Sequence, residues 1–213
     1  MRQVPVRLIA LSAALIFCLI GTMEAEAAAV GSVTRLRGDA NALTAGQSRI
    51  LAQDAEIDLG DRLQTGPNAR LEVKFLDGTM LTLGEKADFT IDALTYTPKE
   101  GTALFTRLDG AIRLIGGEIA KIPGHKIEVA GNAGTIGIRG TDVWGGTVKP
   151  GSLLDVFLIE GSVEVRTAAG TVVLGQPGTG TSVTAAGGAP AEPATWARPL
   201  INQAFATVSF DAP

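Results

Sequence analysis

Leu71 to Leu83 reads LEVKFLDGTMLTL, and this stretch decides the fold. Leu71, Val73 and Phe75 alternate with Glu72 and Lys74. A period of two places one face of an extended chain in a core and the other in water. Asp77-Gly78 then supplies a hairpin signal, because a two-residue type I′ turn needs positive φ at both central positions. Met80 to Leu83 returns as a second short strand.

The same alternation spreads outward from this hairpin. Phe89-Thr90-Ile91-Asp92-Ala93 and Val163-Glu164-Val165-Arg166 repeat it. Leu153 to Ile159, LLDVFLI, is nearly continuous in apolar residues and is expected to be covered on both faces. Val172-Val173-Leu174 is a further short strand. No window between Val30 and Ser182 shows a helical period of 3.6. Glycine supplies 27 of the 213 residues, well above the usual share of roughly 7%, so tight turns are numerous. A small unit recurs, an apolar residue, a charge and Gly, at Gly38, Gly78, Gly110, Gly140 and Gly161. The Asp77-Gly78 and Asp109-Gly110 copies are both expected to be hairpins, and the others turns or corners. The intervals between these glycines are 40, 32, 30 and 21 residues, so no strict repeat array is implied. The expectation is an all-β domain over residues 30–184. Its many short hairpin-linked strands form a solenoid-like or rolled sheet or sandwich.

Residues 185–195, containing GGAPAEPAT, read as a Pro/Gly/Ala linker. In residues 196–213, Trp196, Leu200, Ile201, Ala204, Phe205 and Val208 recur at helical spacing, with Pro199 near the first turn. This short amphipathic helix is expected to pack back on the β body, docking into a partner's groove being the alternative. At the other end, Arg2 and Arg7 precede the uncharged run Leu8–Gly21, and Ala-rich residues follow. This is the plan of a secretory signal peptide over residues 1–29, cleaved after Ala27 or Ala29. The 14-residue run is shorter than the roughly 20 residues of a spanning helix. Cys18 follows Phe17, where a lipoprotein needs a small residue, so it leaves with the signal. The expected location is the periplasm or the exterior.

Composition excludes much chemistry. One Cys and one His build neither a Cys/His metal cluster nor a disulfide framework. His125 falls in a turn, Ile122-Pro123-Gly124-His125-Lys126. Gly175 to Ser182, GQPGTGTS, nearly matches a phosphate loop, but Thr181 stands where Lys is needed and no helix follows. No Asp-x-Asp-x-Asp run suggests calcium. Neither cofactor nor metal is expected. Scattered basic residues and a net charge of −4 argue against nucleic acid. Asp58 with Asp61, or Asp142 with Asp155, could form a carboxylate acid–base pair. For glycan stacking, Tyr96 and Trp144 are the aromatics that could be exposed, core filling being the favoured reading of Trp144.

Several stretches together carry a family resemblance. They are Leu59–Gly84, LGDRLQTGPNARLEVKFLDGTMLTLG, then Gly134–Trp144, GTIGIRGTDVW, then Leu158–Val165, LIEGSVEV, and Gly175–Gly178. In this order the chain closely resembles the FecR domain family over about Val30 to Val183. The resemblance implies an all-β periplasmic domain. Its best-known members pass a signal from an outer-membrane transporter to a cytoplasmic sigma factor. That task requires a sigma-binding region ahead of a spanning helix, and only Met1–Arg7 precede the apolar run here. No direct sigma-factor contact is therefore expected. The resemblance brings no catalytic or metal residue.

The expected function is that of an exported, non-enzymatic binding or sensory domain acting on an envelope protein through its surface and sheet edges. The alternatives are a peptidoglycan- or polysaccharide-binding module and a carboxylate-dependent hydrolase. Tyr96, Arg139, Asp142 and Trp144 are the candidate binding-surface residues, Arg139 and Asp142 lying just before Trp144 in the chain.

Overall fold

Period-two patterning becomes sixteen strands in the computed structural model, which describes residues 28–211. They are β1 (Ala29–Arg37), β2 (Ala40–Thr44), β3 (Gln47–Ile50), β4 (Glu56–Asp58), β5 (Arg62–Thr65), β6 (Arg70–Phe75), β7 (Met80–Leu83) and β8 (Asp88–Tyr96). Then come β9 (Gly101–Asp109), β10 (Ile112–Ile115), β11 (Lys126–Gly131), β12 (Gly134–Gly146), β13 (Leu154–Arg166), β14 (Thr171–Leu174), β15 (Thr179–Val183) and β16 (Ala194–Thr195). Helix α1 (Arg198–Ala206) follows. Residues 1–27, most of the expected signal peptide and its Cys18, lie outside the described residues. Ala29 already opens β1 opposite Asp58.

All the strands belong to one sheet, ordered β3-β2-β5-β8-β9-β11-β12-β10-β7-β6-β1-β4. From β12 it branches to β13, which carries β14 on one part of its length and β15 with β16 on another. The β9–β11 pair is parallel and the other pairs are antiparallel. The long β12–β13 hairpin folds this sheet over. Its first part, around Thr135–Ile138, pairs with β11. Its second part, Asp142–Gly145, pairs with β10. Between them the β12–β13 register shifts at Arg139–Asp142, and a bulge of this kind bends the strand. One layer then holds β3, β2, β5, β8, β9, β11 and β14. The other holds β4, β1, β6, β7, β10, β15 and β16. The two long strands run through both. Phe75 of β6 meets Phe105 of β9 at 5.6 Å between ring centroids, and Phe105 meets Phe89 at 5.1 Å. Strands β6 and β9 are not sheet neighbours, so this contact crosses the interior.

The chain passes between layers at glycine corners, and these corners bond to one another. Gly66 N–H donates to Asp39 C=O at 2.8 Å, Lys86 N–H to Gly66 C=O at 3.1 Å, and Gly84 N–H to Ala111 C=O at 2.7 Å. The buried Thr65 hydroxyl donates to Gly84 C=O and accepts from Ala87 N–H. A Cβ at Gly110 would come within 2.9 Å of Ala87 Cα. Only glycine permits that approach together with its positive φ of 80°. Asp77-Gly78 is the expected hairpin, joining paired β6 and β7. Asp109-Gly110 is not. It joins β9 to β10, which do not pair, and carries the chain across to the other layer. The recurring unit mostly marks such crossings. A local turn signal says that the chain reverses, not which strand it meets next.

The open end of the two layers is closed by an ionic knot. Asp61 is fully buried. It accepts hydrogen bonds from the Thr44 hydroxyl, the Arg49 guanidinium and Asp58 N–H. Arg49 also donates to Glu56 C=O at 2.9 Å and Asp58 at 3.1 Å. Edge strand β3 is thereby tied to edge strand β4 of the opposite layer.

Of the expected Leu153–Ile159 run, Leu154–Leu158 is covered on both faces, whereas Leu153 is 50% exposed. Leu154, Val156 and Leu158 enter the main core, while Phe157 lies under α1. The segment 185–195 runs beside β15, with Ala191 N–H bonded to Ser182 C=O, before β16 pairs there. Around α1, the C-terminal segment packs on the second layer through Trp144, Phe157, Trp196, Ala204 and Val208.

Stability measurements on glycine and arginine variants check this account. Gly140→Ala places a methyl 2.6 Å from Gly161 Cα and should cost about 2–3 kcal/mol in urea unfolding. Gly175→Ala meets nothing within 4 Å and has no positive φ, and it should cost about 0.5 kcal/mol or less. Arg49→Ala strands the buried Asp61 carboxylate and should cost about 2 kcal/mol, discounted for the partial exposure of Arg49, with Arg49→Lys restoring part of it.

Candidate functional site

A sheet of this size must end somewhere, and an unpaired edge offers free backbone N–H and C=O groups. Four strands form its margins. Strand β3 is tied down through Arg49. Strand β4 carries Glu56 and Asp58 and shares the same knot. Strand β16 has two residues. Strand β14 differs: it pairs only with β13, and Thr171-Val172-Val173-Leu174 contains no charge, Pro or Gly. Val173 is 55% exposed, while Leu174 is buried.

Beside this edge lies a charged row on the outer face of the first layer. Register places Val173 opposite Glu164, Glu164 opposite Gly137 and Gly137 opposite Glu128. Gly137 leaves room for the Arg166 guanidinium, whose Nη1 would lie 3.5 Å from a Cβ there. Arg166 spans the gap, donating to Glu164 at 2.8 Å and to Glu128. Burial raises the Glu128 pKa. Hydrogen bonds from Arg166 and Lys126, with their charges, outweigh burial and hold the carboxyl below its ordinary value. Arg139 stands at the end of this row. Its side chain is 74% exposed and lies 3.9 Å from Glu164. The arrangement thus combines an uncharged edge, an exposed Val173 and one projecting cation.

The four sequence candidates do not converge. Arg139 borders the β14 edge. Tyr96, 40% exposed, lies at the end of β8, five strands away along the sheet and so about 24 Å off. Asp142 is buried and holds Arg113 through two hydrogen bonds of 3.0 and 2.7 Å. That contact raises the Arg113 pKa. Trp144 has no exposed surface. Its indole N–H donates to the Thr207 hydroxyl at 3.0 Å, and Trp196 packs against it edge to face at 6.0 Å. As a surface residue Trp144 is therefore corrected, because the C-terminal segment covers it. The short uncharged β14 was visible as a strand, but its place at the sheet margin was not.

The carboxylates considered for catalysis have other partners. Arg49 bridges Asp58 and Asp61. Asp155 accepts Val148 N–H, Lys149 N–H and the Ser152 hydroxyl and thereby shapes the loop before β13. Asp77 plays a similar part for Thr79 and Ile119. Both ring nitrogens of His125 face backbone carbonyls, of Ile122 and Ile138. Gly175–Ser182 forms the turn into β15, with Thr181 bonded to Ala191 C=O. A cleft of about 520 Å³ beside β2 and β5 is lined by polar residues such as Asn41, Gln64 and Asp109 and by no aromatic ring. Among the described residues no group of three or more His, Cys, Asp or Glu side chains is placed to hold a metal ion.

No curated protein matches the chain. Two crystal structures of "a putative anti-sigma factor" from Parabacteroides distasonis are similar to it. The first shares 15% identity with a TM-score of 0.52, and the second 16% identity with a TM-score of 0.49. Each match covers 63% of this chain and 59% of the other, so the chain spans under two thirds of those proteins. At such identity the first likeness is one of fold. A family model described as FecR protein matches residues 61–164, just under half of the chain. The stretch from the Asp61 knot to Glu164 beside the β14 edge, including the bent hairpin, is therefore the part of the chain that is similar to the FecR family.

Proposed function

We propose that this protein is an exported, non-enzymatic FecR-type binding domain that captures another envelope protein by strand addition at β14. The open, uncharged β14 edge carries this reading. An added strand would satisfy backbone groups that β13 leaves unpaired, and it would extend the first layer by one strand. Val173 supplies an apolar contact, and Arg139 with Glu164 supplies polar contacts that set register. Edges without Lys, Pro or other blocking features are unusual in soluble proteins unless they are used.

Export rests on the signal-peptide pattern of the first 29 residues. Ala28 C=O accepts from Leu59 N–H at 3.0 Å and Ala29 pairs with Asp58. Of the two cleavage points, the one after Ala27 leaves this pairing whole. Intact-mass analysis of the exported protein should therefore give a chain beginning at Ala28. A chain retaining residues 1–27 would contradict export by cleavage.

Binding is tested by capture from envelope extract. Val173→Lys should reduce recovery of the partner about tenfold or more without lowering the melting temperature, because a Lys on an edge blocks strand addition. Leu76→Lys, at an exposed turn elsewhere, should leave recovery unchanged. Equal capture by Val173→Lys and the parent chain would overturn the β14 assignment.

A further inference from the structure

We propose that the outer face of the second layer is a receptor for an amphipathic helix, and that α1 occupies it in cis. A helix from a partner protein would exchange with α1 there. The argument starts from a row of side chains in register across six strands. Arg35, Glu72, Thr82, Arg113, Trp144 and Phe157 lie opposite one another in sequence from β1 to β13. Four of the six are charged or polar, and the last two are aromatic. The C-terminal segment lies over it. Trp196 stacks on Phe157 at 4.9 Å, Phe205 meets Phe157 edge-on at 6.4 Å, and the Arg113 guanidinium lies 5.4 Å from the Phe205 ring.

The far end of the face recognises a feature that every helix has. Helices end in carbonyls without intrahelical partners and in partial negative charge. Arg70 donates to Ala206 C=O at 3.1 Å, and Arg37 donates to Phe210 C=O at 2.9 Å. Burial, and then the charge of Arg37, lowers the Arg70 pKa. Ala206 ends α1, whereas Phe210 lies in the tail four residues beyond it, so a helix C-terminus with a short trailing segment can make both backbone contacts.

The occupant has little helical stability of its own. Helix α1 has nine residues, no side-chain N-cap and no acidic residue in its first turn. Helices shorter than about 12 residues are marginal in isolation, so docking is what holds it helical. Its connector, 184–193, is largely irregular. The fit is also incomplete. A cleft of about 250 Å³ remains between Glu72, Thr82 and Arg113 of the sheet and Phe205, Val208 and Phe210 of the tail. Finally, Trp144, Phe157 and Arg113 belong to the FecR-matched stretch, whereas α1 lies beyond it. Apart from Arg35 and Arg37 on β1, the face belongs to that stretch, and its cover lies outside it. A partner helix would need two apolar anchors spaced like Trp196 and Phe205 and a C-terminus directed at Arg37 and Arg70.

The probe is a fluorescent synthetic peptide of residues 194–211, added to the full chain. Phe205→Ala weakens the cis occupant while leaving the sheet face intact. The peptide should bind this variant about tenfold more tightly than it binds the parent. Adding Arg37→Ala should remove about tenfold of that affinity. Val173→Lys should have no effect, which separates this proposal from strand addition at β14. No saturable binding to either chain at about 1 mM, or equal binding to both, overturns the proposal. Native-state hydrogen exchange gives a second reading should Phe205→Ala fail to fold. Exchange of the α1 amides at denaturant well below that releasing β12 supports a detachable helix, and exchange only on global unfolding overturns it.

Discussion

Backbone hydrogen bonding between corners is the constraint on which this architecture depends. A strand that leaves one layer for the other must turn through the boundary of the core, where unpaired N–H and C=O groups are costly. The chain solves this by stacking its corners. Asp39 receives Gly66 N–H, Gly66 receives Lys86 N–H and Ala111 receives Gly84 N–H. Each corner completes the bonding of the next, and the Thr65 hydroxyl closes a gap between two of them. Close stacking demands small residues, which is why Gly38 and Gly110 sit against Ala69 and Ala87.

From that constraint follow the two outer faces. The bend at Gly140 and Gly161 turns one hairpin into a member of both layers, so the sheet needs no second domain to cover its inner side. Its outer sides are then treated differently. The first layer carries wet, charge-paired rows such as Glu128–Arg166–Glu164 and leaves β14 open. The second carries Trp144 and Phe157, whose apolar area would be exposed without Trp196 and α1. One face is thus finished by ion pairs and the other by a short appended helix.

Much of this was legible in the residues. LEVKFLDGTMLTL is a hairpin, Leu154–Leu158 within LLDVFLI is covered on both sides, and Trp196 to Val208 packs back around a short helix. The all-β rolled class followed from these patterns, and the FecR resemblance from the glycine-bearing motifs between Leu59 and Val165. Asp109-Gly110 was misread as a hairpin, because the same dipeptide serves a turn within a layer and a corner between layers. Trp144 was offered as surface because its sequence neighbours are polar and small. Its burial comes from Trp196 and Thr207, more than fifty residues away.

The amino-acid sequence by itself determined the class of structure, the approximate position of several strands and the scarcity of Cys and His. These depend on local periodicity and composition. Only the tertiary structure decided which strands neighbour one another, which edge stays open and which aromatic is covered. Those outcomes depend on pairings between distant residues. Val173 beside Glu164 and α1 over Phe157 are set by the register of strands and the bend of one hairpin, and no local pattern records either.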